Sequence, residues 1–84
     1  MIQKIAEHFG LENQKVKTIE ECSELITAIA KNDINNIIEE IADVQIMLKQ
    51  LVHLYNIGYD VEEMMEYKIK RTVERYSIDV QNNN

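Results

Sequence analysis

Residues 34–55 read INNIIEEIADVQIMLKQLVHLY. Ile34, Ile37, Ile38, Ile41, Val44, Met47, Leu48, Leu51, Val52 and Tyr55 recur at the i, i+3, i+4 spacing of an α-helix. Asp33 stands immediately before the run as an N-cap, and Asn56-Ile57-Gly58 closes it. Ile46 and Leu54 carry the apolar surface well round the cylinder. A helix this apolar is covered on more than one side. In a short chain a second subunit is the natural cover.

The same period continues on both flanks. Ile2, Ile5, Ala6 and Phe9 form a first helix that Gly10 stops. A second helix is expected from about Asn13 to Lys31, with Val16, Ile19, Cys22, Ile26, Ile29 and Ala30 on one side and Asn32-Asp33 as its break. Asp60 with Glu63 resembles a capping box and is expected to open a fourth helix reaching about Tyr76. Proline is absent, glycine occurs twice, and no strand-period alternation stands out. The expectation is an all-α four-helix bundle, one domain over residues 1–80, oligomerising through its apolar helices, with a frayed polar tail at 81–84.

Composition narrows the function classes. The 84 residues hold 15 Asp plus Glu against 9 Lys plus Arg, a net charge of −6. A general nucleic-acid or membrane-surface binder needs a basic face, which this balance argues against. Aromatic residues make up 6% with no Trp, so a base-stacking platform is not expected. No apolar run approaches the roughly 18 residues of a membrane span, and the charged opening MIQKIAEHFG does not read as a signal peptide. The single Cys22 cannot form an internal disulfide, which fits a reducing, cytoplasmic setting. A chain this short buries only about 60% of its unfolded surface, a further reason to expect a homo-oligomer.

The pattern breaks at acidic residues. With about 100° per residue, Glu40 falls inside the apolar arc of the third helix, between Met47 and Leu51, and Asp43 at its edge near Leu54. In the second helix Glu21 borders the apolar arc beside Leu25 and Ala28, with Glu24 one step further out, while Glu20 points to the polar side. Glu21 with Glu24, and Glu40 with Asp43, are i, i+3 pairs that each share a face. A carboxylate within an apolar stripe is costly unless paired, protonated or metal-bound. An antiparallel hairpin of the two helices would bring the pairs together, and a divalent cation would relieve their repulsion. An all-oxygen site suits Mg²⁺ or Mn²⁺ rather than Zn²⁺. Glutamate-rich helices are also common as solvated faces, and Glu40 could instead meet a lysine.

The fourth helix adds Lys68, Arg71 and Arg75 along one border of the stripe Val61, Met65, Thr72 and Tyr76. They read either as snorkelling partners of the acidic helices or as phosphate ligands beside a metal.

Glu20-Glu21-Cys22-Ser23-Glu24, then fifteen residues, then Glu40-Ile41-Ala42-Asp43 resembles the EExxE…ExxD signature of the MazG-like nucleotide pyrophosphohydrolases. These belong to the all-α NTP pyrophosphatase superfamily, with the dimeric dUTPases and the phosphoribosyl-ATP pyrophosphohydrolases. The resemblance runs from about Gln14 to Arg75; Gln14, Lys17 and Leu25 also stand where such residues are frequent. It implies cleavage of a nucleoside triphosphate between the α and β phosphates, to a monophosphate and pyrophosphate. It also implies Mg²⁺ held by Glu21, Glu24, Glu40 and Asp43. Glu20, matching the first glutamate, would orient or activate water or act on the metal through its ligands, and Lys68, Arg71 and Arg75 would neutralise phosphate charge. Minimal members assemble as dimers or tetramers. Glu66 departs from the pattern, standing where many members have an asparagine nucleotide contact.

Two other readings stay open. A di-iron carboxylate bundle needs Glu-x-x-His pairs, but Ile5 precedes His8 and Gln50 precedes His53; both histidines are expected at the surface and Cys22 in the interior. A non-catalytic helical interaction or regulatory protein would suit the wide apolar faces and Met1, Met47, Met64 and Met65, but gives no reason for an inward Glu40. Base and sugar preference is not legible.

Overall fold

The computed structural model describes residues 1–80, so the tail expected at 81–84 lies outside the described residues. Four helices follow in order: α1 Ile2–Phe9, α2 Leu11–Lys31, α3 Ile34–Tyr55 and α4 Gly58–Arg75. The all-α, four-helix reading holds, and no strand occurs among the described residues. No helix there is long and apolar enough to cross a membrane.

The connections are short because single residues do the turning. Gly10 adopts φ +85°, a conformation that side-chain-bearing residues rarely take. Its N–H donates to the Ala6 carbonyl at 2.8 Å and its own carbonyl accepts from Gln14 N–H at 3.1 Å, so it ends α1 and starts α2 at once. That double role is why α2 begins two residues before the expected Asn13. Asn32 and Asn56 close α2 and α3 in the left-handed region, which asparagine tolerates. After each, a second N–H reaches back into the last turn, Asp33 to Ala28 at 3.3 Å and Ile57 to Val52 at 3.1 Å. Asp33 caps α3 as expected, its carboxylate accepting from Asn36 N–H at 3.3 Å. The capping box does not form: α4 starts at Gly58, with Ile57 as an N-cap that offers no side-chain bond, and Asp60 lies within the first turn.

α2 and α3 pack antiparallel along their lengths, and α1 lies across both, chiefly on α3. Ala6 is fully buried there, and His53 Nε2 lies 2.7 Å from Glu7 Oε2, tying α1 to the end of α3. His53 is therefore half-buried and partnered rather than a plain surface residue, while His8 is exposed.

The apolar row of α2 is not the side that packs. Val16, Ile19, Ile26 and Ile29 are 57–71% exposed. The row facing α3 is Gln14, Thr18, Glu21, Leu25 and Ala28, roughly 130° round the helix. Its small Thr18 and Ala28 let the backbones approach and leave the bulky residues outside. Cys22 is half-buried rather than interior, lining an open apolar groove of about 480 Å³ with Ile19, Ile26 and Leu51. α4 buries no residue and contacts only α3, near their connection. The radius of gyration is accordingly 16.0 Å, against about 12 Å for a compact chain of this length.

Candidate metal centre

The antiparallel hairpin brings the two acid pairs onto one seam. One oxygen each from Glu21, Glu40 and Asp43 lies within 4.8 Å of the others, and Glu20, Glu21 and Glu24 form a second such group. Glu21 belongs to both. It is buried, Glu40 and Asp43 are half-buried, and Glu20 and Glu24 are exposed. Glu40 thus faces inward as its place in the apolar arc requires, onto a row of α2 that carries acids as well as apolar groups.

Charge is undercompensated here. Lys17 Nζ lies 3.1 Å from Glu20 Oε1 and 3.1 Å from Glu21 Oε2, the only ion pairs to the cluster among the described residues. These two hydrogen bonds hold the Lys17 ammonium above its usual pKa. The lysine is half exposed, so its pull is screened. Glu21 Oε1 and Glu40 Oε1 are buried with no hydrogen-bond partner. Burial pushes the Glu40 carboxyl above its ordinary pKa, and the negative charges of Glu24, Asp43, Glu21 and Glu39 push it the same way. Buried, unpartnered carboxylate oxygens are costly in water's absence. The donor set is entirely oxygen and acidic, which fits Mg²⁺ or Mn²⁺.

Gln14 stands beside this seam, not in it. Its Nε2 donates to Gln50 Oε1 at 2.8 Å, and both amides are buried. Gln50 Nε2 in turn donates to Met47 Sδ at 3.5 Å. Gln50, at 2% exposure, has the most buried large side chain. Sequence reasoning passed over it, although it falls in the apolar arc of α3 between Ile46 and Leu54, the same kind of anomaly that singled out Glu40. The Gln14–Gln50 bond fixes the α2–α3 register that sets Glu21 opposite Glu40 and Asp43.

The basic row is not brought to the acids within one chain. Lys68, Arg71 and Arg75 are exposed on α4, which makes no contact with α2. The Arg71 guanidinium lies over the Tyr67 ring, 5.5 Å from its centroid. Glu66 is exposed on the same helix.

A family model for the MazG nucleotide pyrophosphohydrolase domain matches residues 9–77. No curated protein and no solved structure matches the chain.

Proposed function

The chain belongs to the MazG nucleotide pyrophosphohydrolase family, and from that premise we propose a Mg²⁺-dependent nucleoside triphosphate pyrophosphohydrolase that cleaves between the α and β phosphates, releasing a monophosphate and pyrophosphate. The observation that carries this reading is the pair of buried, unpartnered oxygens, Glu21 Oε1 and Glu40 Oε1, beside Asp43. Glu21, Glu24, Glu40 and Asp43 would hold the ion. An ion held there, Mg²⁺ or Mn²⁺, would supply polarisation of phosphoryl oxygens and a lowered pKa of bound water. Lys17 orients the carboxylates of Glu20 and Glu21 through its two contacts. Glu20, exposed and at the edge of the cluster, would accept a proton from an attacking water.

Lys68, Arg71 and Arg75 would meet the phosphates from a second copy, since α4 stands clear of α2 in its own chain. The exposed surface supports an assembly. It amounts to 6866 Å², whereas a compact monomer of this mass exposes about 5,200 Å². The excess is comparable to one subunit's share of an obligate interface. A homodimer, or a tetramer built from two dimers, would cover the apolar row of α2 and the free faces of α4.

The test is incubation with ribo- and deoxynucleoside triphosphates plus Mg²⁺, with products resolved by chromatography. Monophosphate plus pyrophosphate is expected, lost in Glu40→Gln. Diphosphate plus inorganic phosphate would overturn the cleavage position. Absence of both turnover and metal binding would favour a non-catalytic helical interaction protein.

A further inference from the structure

At the turn end of the α2–α3 hairpin a small polar cavity of about 240 Å³ adjoins the acid cluster. Glu24 and Glu40 line it together with Ser23, Thr27, Ala28, Lys31 and Asn36. Ser23 and Thr27 donate their hydroxyl protons to backbone carbonyls one turn back, which leaves their oxygens as acceptors only. Lys31 and Asn36 are different. Neither side chain makes an ion pair or hydrogen bond among the described residues; the Asn36 bond to Asp33 is made by its backbone N–H. They are free donors facing the space beside the carboxylates.

The other cations of the hairpin are committed or distant. Lys17 is held by Glu20 and Glu21, Lys15 lies 3.5 Å from Glu12, and Lys49 lines a separate space beside α1. The basic row of α4 does not approach α2 in its own chain. Lys31 is therefore the cation without a carboxylate partner that this chain sets beside Glu24 and Glu40. We infer that the cavity between the end of α2 and the first turn of α3 is a phosphate subsite, with Lys31 as its cation and Asn36 as its amide donor, holding the substrate's polyphosphate against the metal-loaded acids. The inference rests on the pyrophosphohydrolase reading and adds residues to it. No aromatic side chain lines the cavity, so a base has nothing to stack on, whereas an ammonium and a free amide suit phosphate oxygens. Glu24 and Glu40 repel an anion unless a cation stands between, so occupancy of the subsite depends on Mg²⁺.

The experiment is calorimetric titration of inorganic pyrophosphate into the full chain at saturating Mg²⁺, for wild type, Lys31→Met, Lys31→Arg and Asn36→Ala. Loss of one charge-assisted bond predicts about tenfold weaker binding in Lys31→Met. Lys31→Arg should bind close to wild type, and Asn36→Ala should fall between the two. Mg²⁺ affinity and melting temperature of Lys31→Met should match wild type, and its KM for a triphosphate should rise far more than kcat falls. Unchanged pyrophosphate binding in Lys31→Met would overturn the inference, most clearly if Arg71→Ala lost it instead. So would an equal loss of Mg²⁺ affinity, which would make Lys31 structural. The two readings separate: wild type that turns over no triphosphate but binds pyrophosphate through Lys31 defeats the hydrolase and keeps the subsite. Wild-type turnover that Lys31→Met leaves intact does the reverse.

Discussion

Replacing Gln50 by leucine isolates the bond that sets the hairpin register. Leucine nearly fills the glutamine volume, so little cavity forms. What changes is that Gln14 Nε2, 2.8 Å from Gln50 Oε1, keeps its place in a buried site with no acceptor. Such an orphaned donor costs about 1–3 kcal/mol. For a domain of this size, each kcal/mol lowers the melting temperature by roughly 4–8 °C, so Gln50→Leu should melt roughly 5–20 °C below wild type. Gln14→Leu should cost a similar amount, because it leaves Gln50 Oε1 buried without a donor while Gln50 Nε2 keeps Met47 Sδ. The double variant removes both partners and should recover most of the loss, giving a coupling of about 1–2 kcal/mol. Thermal melts monitored by circular dichroism, at one fixed protein concentration so that the proposed assembly would weigh equally on each variant, read all four corners of the cycle. Two small effects that simply add would refute the reasoning, for then the amides are paired without being mutually dependent.

Mg²⁺ or Mn²⁺ should raise the melting temperature of the wild type and leave a Glu40→Gln, Asp43→Asn double variant unmoved. Without metal, that variant should melt above wild type because the carboxylates no longer repel; differential scanning fluorimetry with and without chelator reads both. The pH response follows from the raised pKa of Glu40. A carboxyl whose folded pKa exceeds its unfolded one adds stability that is full below the unfolded value, near 4.5, and is lost as pH rises through the folded value. Metal-free protein should therefore gain stability on acidification toward that range relative to Glu40→Gln, and urea melts across pH would show its deficit against that variant closing on acidification and widening as pH rises. Ile19→Asp with Ile26→Asp places two charges on the exposed row of α2. Sedimentation velocity should show a smaller species than wild type, and an unchanged species would place the interface elsewhere.

Much of the hairpin was legible because its signals are local. Asp33 as cap, Asn32 as break and Tyr55 as the end of α3 depend on backbone bonds within a few residues, and they stand where the pattern put them. The meeting of Glu21 with Glu40 and Asp43 follows from two i, i+3 pairs on helices joined by a tight turn. The buried side of α2 was not legible from apolar periodicity, because the bulky row of that helix is left outside and small or polar residues make the contact. Gln50 was hidden for a related reason: a neutral amide in an apolar arc is a weaker anomaly than a carboxylate. α4 misled in its first turn, where Asp60 has the right chemistry for a cap but Ile57 and Gly58 already begin the helix. Its stance away from α2 has no local signal in the sequence.

The two-residue turn at Asn32 and Asp33 has a kinetic consequence. It places the partners of the acid cluster, Glu21 and Glu40, only nineteen positions apart in the chain. Contacts of such low order close early in folding, ahead of anything that involves α4 or a second chain. The carboxylates would then crowd together in the folding nucleus, where their repulsion slows the forward reaction. A divalent ion that relieves the crowding should accelerate folding as well as retard unfolding, so the left arm of the chevron should lift with Mg²⁺.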